Sequence, residues 1–179
     1  KNDLVWLENE CEIFANDFKG KLVNLSAKEF LACVKRNEKI SNVSGRLISY
    51  AGLRYYQSTT DGERTKFLSD IQEKITIYTS SLIFFNLELN KLPDGQLDLL
   101  YSKSEELRRY KPVFDRIRAL QPYQLSDELE KFLHQQSVVG AAAWNKLFDE
   151  TITNLTFNIN KELLSLEEVL NKFSDNERN

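Results

Sequence analysis

The chain has 179 residues, which suits one domain with a proper core, and its 41% hydrophobic and 28% charged residues exclude disordered and collagen-like classes. A net charge of -3 gives no overall field that would attract nucleic acid or anionic lipid. No apolar run approaches the roughly 18 residues of a membrane helix, and the N-terminus lacks signal-peptide features, so we expect a cytoplasmic protein with neither a nucleic-acid nor a membrane partner.

Apolar residues recur at helical spacing through the first half of the chain. The first stripe comprises Leu4, Leu7, Cys11, Phe14 and Phe18. Another helix is predicted over residues 40–57, with inward positions at Val43, Leu47 and Tyr50. Gly45 and Gly52 interrupt it, and each is expected to mark a close contact between helices, because glycine costs about 1 kcal/mol against alanine in a helix. Cys11 and Cys33 lie on or beside such stripes, which favours two buried thiols over a disulfide.

The longest predicted helix runs from about Arg64 to Leu89. Its apolar stripe comprises Phe67, Ile71, Ile75, Tyr78, Leu82, Phe85 and Leu89. The centre of this segment is apolar nearly all round, which is typical of a buried helix in the middle of a bundle.

Local motifs predict where helices begin and end. Capping boxes, in which a hydroxyl and a carboxylate each bind a free backbone amide, begin at Ser26, Thr60 and Ser165. A further helix is predicted to begin near Ser126, after a break at residues 121–123. Residues 93–95, Pro-Asp-Gly, end the long helix.

One segment carries a cluster of basic residues, namely Arg108, Arg109, Lys111, Arg116 and Arg118. The opposite stripe of this segment holds Leu107, Tyr110, Phe114 and Ile117. The arrangement favours a solvated helix face over a nucleic-acid site, which would need a basic face across the domain.

The last third of the chain changes its pattern. A helix is predicted along Trp144, Leu147, Phe148, Thr151 and Leu155. Alternation over residues 155–164 then predicts two short strands around Lys161-Glu162. The predicted fold is therefore all-α, a multi-helix bundle with one long central helix and a small β-hairpin near the C-terminus.

A fourth capping box, from Ser174 to Glu177, stands two residues before the end of the chain, and the sequence contains no methionine. These features lead us to expect a fragment of a longer polypeptide. Its helical N-terminal lobe would cover residues 1–155, and residues 156–179 would form a hairpin and helix that lead into a missing domain.

The only histidine, His134, is followed by Gln135 and, four positions on, by Val138. A zinc peptidase helix needs His-Glu-x-x-His, so both the base and the second ligand are absent from this segment. Catalysis by His134 would need a neighbouring cysteine or carboxylate, and it is disfavoured against a capping or surface role. Glu128, Glu130 and Asp149 are candidates only because carboxylates are plentiful in this chain. We therefore predict no catalytic, cofactor-binding or metal-ligating residue in this chain.

Several blocks in order along the chain resemble the N-terminal domain of bacterial oligoendopeptidase F, in the thimet-oligopeptidase-like family of zinc metallopeptidases. The blocks are residues 49–55 (SYAGLRY) ahead of 59–61 (TTD), Phe84-Phe85 with Glu88-Leu89, Leu92-Pro93, 121–155, and 164–170 (LSLEEVL). The resemblance implies that the intact protein hydrolyses short peptides with a zinc ion held on a later helical domain. It also implies that this lobe shapes and covers the substrate cleft. No ligand or catalytic position of the family maps onto this sequence, so zinc is expected only in the longer parent, and the fragment alone is expected to be inactive.

The resemblance also suggests partners: the missing C-terminal catalytic domain of the same chain and oligopeptide substrates. Tyr55, Tyr56 and Trp144 are the candidate peptide contacts, because flat amphipathic rings can line a cleft, although Trp144 shares its stripe with core-type residues and is favoured as core. A lobe separated from its neighbour is expected to expose an apolar flank and to self-associate. The alternative is a free-standing all-α interaction module without enzymatic role.

Overall fold

The computed structural model of the chain describes residues 2–173 as helices followed by one hairpin and a last helix. The elements are α1 (Asn2–Phe18), α2 (Ala27–Tyr56), α3 (Gly62–Thr79), α4 (Ile83–Lys91), α5 (Asp94–Lys103), α6 (Glu105–Arg108), α7 (Lys111–Arg118), α8 (Asp127–Gln136), α9 (Ala141–Asn154), β1 (Thr156–Ile159), β2 (Glu162–Ser165) and α10 (Leu166–Lys172). The predicted all-α fold with a C-terminal hairpin is confirmed. The predicted capping box from Ser174 lies outside the described residues. Within residues 2–173, no helix combines the length and the apolar character that crossing a bilayer requires.

The longest helix is α2, whose 30 residues join the predicted start at Ser26 to the helix predicted over 40–57. The prediction of a longest helix from Arg64 to Leu89 is wrong, because α3 ends at Thr79 and a 3₁₀ turn at Ser80–Leu82 separates it from α4. Three hydroxyls bind carbonyls of the preceding turn at 2.7 to 2.9 Å, those of Thr79, Ser80 and Ser81. Such bonds compete with the helical ladder and bend helices.

The glycines of α2 do not mark close helix contacts, so that prediction is wrong. A Cβ atom at Gly45 would meet nothing within 4 Å, and at Gly52 the nearest atom is Cε2 of Tyr56 in the same helix, 3.9 Å away. Tyr50, predicted to face inward, is exposed. Its ring instead packs edge to face against Phe67 of α3 at the rim of the helix pair, with centroids 6.2 Å apart.

The core lies where α1, α2 and α4 meet, and α5 to α7 close it. Phe14 of α1 contacts Phe84 and Phe85 of α4, with ring centroids 5.8 and 6.2 Å apart. Phe30 of α2 meets Phe114 of α7 edge to face at 6.0 Å. Cys11 and Cys33 are buried free thiols in this core, and their predicted burial is confirmed.

Ion pairs connect the elements around the core. Arg36 of α2 binds Glu10 of α1 through Nε at 2.9 Å and Asp17 of α1 through Nη1 at 2.7 Å. In the basic segment, Arg118 differs from its neighbours, because it donates to the carbonyl oxygen of Leu89 and to Asp94. The other basic residues of the cluster face solvent as predicted, opposite the buried Leu107 and Phe114.

The helix starts follow their local motifs with one exception. Ser26 and Ser165 form capping boxes with Glu29 and Glu168, and Ser126 caps α8. The predicted box at Thr60 is wrong, because Asp61 is the N-cap of α3 and its carboxylate accepts hydrogen bonds from the amides of Glu63 and Arg64. The Asp61 carboxylate thus satisfies two free amides at the start of the helix. The hydroxyl of Thr60, one residue earlier, does not take this role.

The C-terminal elements pack less tightly than the rest. In the hairpin, Thr156 pairs with Ser165 and Ile159 with Glu162, around a turn at Asn160 and Lys161 with positive φ angles of 53° and 70°. The helices α8, α9 and α10 contain no buried residue. The predicted burial of Trp144 in the core is therefore wrong, because its side chain is exposed.

Candidate functional site

Two of the three predicted peptide-contact residues lie at the C-terminal end of α2. Tyr55 is only 2% exposed, whereas Tyr56 is 69% exposed. Their rings meet edge to face with centroids 5.2 Å apart. Successive residues of a helix point about 100° apart, so only Tyr55 is enclosed between helices while Tyr56 stays at the surface.

A cavity of about 230 Å³ lies between α9 and the α2–α3 pair. Its walls include both tyrosines together with Ser69, Gln72, Lys146 and Asp149. A second space of about 430 Å³ adjoins Tyr56 and reaches toward α10, with Phe148 and Glu167 among its walls. The two spaces share Tyr56 and Asp149, so they form adjoining parts of one groove along α9.

Weak polar contacts hold α9 against the other wall of this groove. Thr59 and Thr153 bring their hydroxyl oxygens to 3.3 Å, and Lys146 Nζ lies 3.4 Å from Ser69 Oγ. The same ammonium is 3.9 Å from a carboxylate oxygen of Glu150. Both distances from Lys146 are long for charge-assisted contacts, so its ammonium remains available to a third group.

Trp144 lies on α9 but does not join the tyrosines. Its side chain is 70% exposed, and it lines neither of the two spaces beside Tyr56. The structure therefore brings Tyr55 and Tyr56 together at one cavity and leaves Trp144 on the open surface of the same helix.

The hydroxyl of Tyr55 is the most unusual group in the cavity wall. Its oxygen is buried and has no hydrogen-bond partner within residues 2–173. Burial raises the pKa of Tyr55, and the nearby carboxylates of Asp149 and Glu150 raise it further. The phenol therefore stays protonated at neutral pH.

His134 lies elsewhere, on the wall of a larger groove of about 700 Å³ between α2, α4 and α8. Its Nε2 atom is 3.4 Å from Oγ1 of Thr79, a contact that joins α8 to the end of α3. Glu130 also lines this groove, but its carboxylate accepts a hydrogen bond from the amide of Leu125 at 2.9 Å. In the described part of the chain, the groove thus pairs His134 with a threonine and not with an activating carboxylate.

The possible metal-binding side chains of residues 2–173 lie apart from one another. Within residues 2–173, no three His, Cys, Asp or Glu side chains are grouped to hold a metal ion. Burial raises the pKa of the Cys11 and Cys33 thiols to about 12, so neither offers a thiolate ligand near neutral pH. No chemical step can be assigned to a metal held by these residues.

The sequence alone did not single out Lys146 or Gln72, and it gave Asp149 only as one of many carboxylates. These residues come from α3 and α9, which are far apart along the chain, and no local motif marks them. Only their meeting across the groove makes them candidates.

Comparison with known proteins shows what this chain is similar to. Residues 88–157 match the sequence profile of the family described as Oligopeptidase F. Over 144 residues the chain is 26% identical to Oligopeptidase PepF of Bacillus subtilis (strain 168), a match that covers 78% of this chain and 21% of that protein. The fold is similar to the crystal structure of oligoendopeptidase-F from Enterococcus faecium, with a TM-score of 0.77 and 19% sequence identity over 92% of this chain and 32% of that chain.

The sequence matches are to proteins named as oligopeptidases, and the structural match, at 19% identity, shows a shared fold. They confirm the resemblance seen in the sequence, to the N-terminal domain of oligoendopeptidase F. The chain spans about a fifth of the length of the curated relative and about a third of the solved structure's chain.

Proposed function

We propose that this chain acts as the non-catalytic N-terminal lobe of a cytoplasmic zinc-dependent oligoendopeptidase that hydrolyses short peptides. In this role it shapes and covers one side of the substrate cleft. The proposal is supported by the match to proteins named as oligopeptidases. Zinc and the residues that bind it would belong to the longer parent.

One observation carries the role of a lobe: the apolar surface of the C-terminal elements. The helices α8, α9 and α10 bury no residue, yet these helices and Phe173, which follows α10, expose large apolar side chains; those of the helices include Phe132, Trp144, Leu147, Phe148 and Leu170. Exposed large apolar side chains grouped on one part of a protein are typical of an interaction surface. The catalytic part of the same polypeptide is the partner that we propose for it, and self-association of the 179-residue chain would follow where that partner is absent.

The exposed aromatic residues suggest how the lobe would meet its substrate. Tyr56, at the end of α2, lines the groove, and Trp144 lies on the open surface of α9. Both are exposed amphipathic rings, which can contact a peptide while a polar edge stays in water. We propose both as peptide contacts in the assembled enzyme. Tyr55 is enclosed and would act only through the cavity that it lines.

The proposal is tested by comparing the 179-residue chain with the longer gene product. Zinc is titrated into each protein, and each is assayed on a quenched fluorescent oligopeptide with and without chelator. We expect tight zinc binding and chelator-sensitive cleavage from the longer protein alone. Chelator-sensitive cleavage by the 179-residue chain would contradict the non-catalytic role, and a longer protein inert under every metal condition would favour the interaction module.

A further inference from the structure

The C-terminal elements differ in how firmly they are attached to the helices before them. The helix α8 contacts the bundle near both of its ends. At its start Asp127 binds Lys91 of α4 at 2.9 Å, and near its end Nε2 of His134 lies 3.4 Å from Oγ1 of Thr79. These contacts hold α8 against the end of α3 and against α4.

Residues 141–172, here called the arm, comprise α9, the hairpin and α10 and are attached more weakly. Among the described residues, two hydrogen bonds join the arm to residues 2–136: Thr153 to Thr59 at 3.3 Å and Lys146 to Ser69 at 3.4 Å. Spaces of about 230, 430 and 540 Å³ lie beside α9, between it and the α2–α3 pair, so the two surfaces fit loosely. Segments with few buried contacts and exposed hydrogen bonds open at low free-energy cost.

The arm is continuous within itself. Leu155 alone separates α9 from β1, and β1 pairs with β2 along its whole length. Ser165 ends β2 and is also the N-cap of α10, where it forms a capping box with Glu168. A turn at residues 137–140, by contrast, separates α9 from α8, and its last residue, Gly140, has no side chain to cap α9. The arm is therefore built to move as one body, with this turn as the hinge.

One buried group makes the observed position of the arm costly. The hydroxyl oxygen of Tyr55 is buried and has no hydrogen-bond partner within residues 2–173. Burial is the main cause that raises the pKa of this phenol, and the carboxylates of Asp149 and Glu150 add to it, so α9 lies close to the ring. A buried hydroxyl without a partner costs free energy, which movement of α9 away from Tyr55 recovers by admitting water.

We propose that the arm swings about residues 137–140 between the closed position seen in the structure, in which the Tyr55 hydroxyl is covered, and an open position, in which that hydroxyl binds water. The helix α8 takes no part in the movement. The contacts of Thr59 and Lys146 favour the closed position, and the unpaired hydroxyl opposes it.

The apolar side chains of the arm connect this movement with the rest of a longer peptidase. Trp144, Phe148 and Leu170 are all exposed on the arm. The connection rests on the proposed function: a catalytic part that packs against these side chains binds one position of the arm more tightly and shifts the equilibrium toward it. The swinging movement itself is a property of the 179-residue chain alone.

The movement is measured by pulsed electron paramagnetic resonance between spin labels on pairs of substituted cysteines, because the native thiols are buried. Glu73→Cys on α3 with Ala143→Cys on α9 reports the arm, and Glu73→Cys with Lys131→Cys reports α8. Ala143→Cys with Asn171→Cys on α10 reports distances within the arm. All four positions are exposed. We expect two distances for the first pair and one narrow distance for each of the other two.

Two substitutions are expected to shift the populations in opposite directions. Tyr55→Phe removes the unpaired hydroxyl and should raise the ratio of closed to open arm about tenfold, whereas its control, Tyr56→Phe, should change nothing because Tyr56 is already 69% exposed. Thr59→Val removes the hydroxyl that meets Thr153 and should lower the ratio about threefold. Thr60→Val, at an exposed neighbouring position, is the matched control for Thr59→Val.

A single narrow distance between the labels on α3 and α9 would overturn the proposal. A broad distribution within the arm would also overturn it, because the arm would then unfold instead of swinging. Equal populations in Tyr55→Phe and Tyr56→Phe would show that the buried hydroxyl does not oppose the closed position, which contradicts the proposed balance. The readouts are distances, not cleavage, so a failure here leaves the proposed role as a peptidase lobe untouched, and an inactive longer protein leaves the movement of the arm untouched.

Discussion

Glu88 of α4 accepts a hydrogen bond from the backbone amide of Gly20 at 2.6 Å, across 68 residues of sequence. The other oxygen of the same carboxylate accepts from the amide of Leu22 at 3.3 Å. One side chain thereby fixes the turn between α1 and α2 to the middle of the bundle. Gly20 itself has a φ angle of 77°, a region that costs other residues roughly 1 to 2 kcal/mol.

We predict that Glu88→Ala lowers the free energy of unfolding by about 1.5 to 3 kcal/mol, because two backbone amides lose a charged acceptor. Urea denaturation monitored by circular dichroism measures the change. Glu73→Ala on α3 is the matched control, an exposed glutamate for which we expect a change within about 0.5 kcal/mol. Equal effects of the two substitutions would show that the Glu88 contacts do not stabilise the turn.

Arg118 makes a second set of long-range contacts. Its Nη1 atom donates to the carbonyl oxygen of Leu89 at 2.6 Å, near the end of α4, and its Nη2 atom contacts Asp94 at 2.7 Å. Arg118→Ala is predicted to cost about 1.5 to 3 kcal/mol of stability, whereas Arg116→Ala on the exposed face of the same helix should stay within about 0.5 kcal/mol. If the two variants unfold at the same denaturant concentration, the contacts of Arg118 do not stabilise the fold, and the basic cluster of residues 108–118 acts only as a solvated helix face.

Because Asp61 is the N-cap of α3, we expect the stability of the chain to depend on pH in a particular way. The hydrogen bond from the Arg64 amide is the largest cause that lowers the pKa of Asp61 in the folded chain, and the amide of Glu63 adds to it. A group whose pKa is depressed by folding stabilises the protein above its unfolded pKa and loses that effect as pH falls through its folded pKa. Asp61→Asn should therefore unfold earlier than the unsubstituted chain at neutral pH and match it at the acidic end.

Urea midpoints measured from neutral pH down to about pH 2 follow this difference. Thr60→Ala tests the motif that the sequence suggested and should leave the midpoints unchanged. A pH-independent gap for Asp61→Asn, or a large loss for Thr60→Ala, would contradict Asp61 as the cap.

The two cysteines should be unreactive in the folded chain. Burial raises the pKa of both thiols to about 12, and both side chains lie in the core, so the thiolate is scarce and inaccessible at pH 8. We expect labelling by an aromatic disulfide reagent to proceed at the rate of unfolding, and to be complete within mixing time in strong denaturant. Rapid labelling of one thiol in native buffer would contradict the burial of Cys11 or Cys33.

Local signals in the sequence predicted local structure well. The serine caps at Ser26, Ser126 and Ser165 and the hairpin near Lys161 needed only neighbouring residues, and all of them form. The break at Thr79–Ser81 was missed because the apolar stripe continues across it, while the hydroxyls that bend the chain interrupt only the hydrogen-bond ladder. Asp61 was missed because two adjacent residues could both cap, and the choice depends on geometry.

Long-range features were less accessible to sequence reasoning. The stripe of Trp144 predicted a helix correctly, but periodicity does not reveal what covers a face, and the side chain of Trp144 is exposed. The cavity at Tyr55 depends on α9 returning to the α2–α3 pair. The hydrophobic periodicity of the sequence reveals neither its unpartnered hydroxyl nor the meeting of Lys146 and Asp149.

The central claim is that the apolar surface of α8, α9 and α10 packs against the rest of a longer peptidase. Hydrogen–deuterium exchange of residues 127–172, compared between the 179-residue chain and the longer gene product, tests it most directly. The account predicts that these amides exchange quickly in the short chain and are strongly protected in the longer protein, while α1 and α2 change little. Equal exchange of this segment in both proteins would contradict the account.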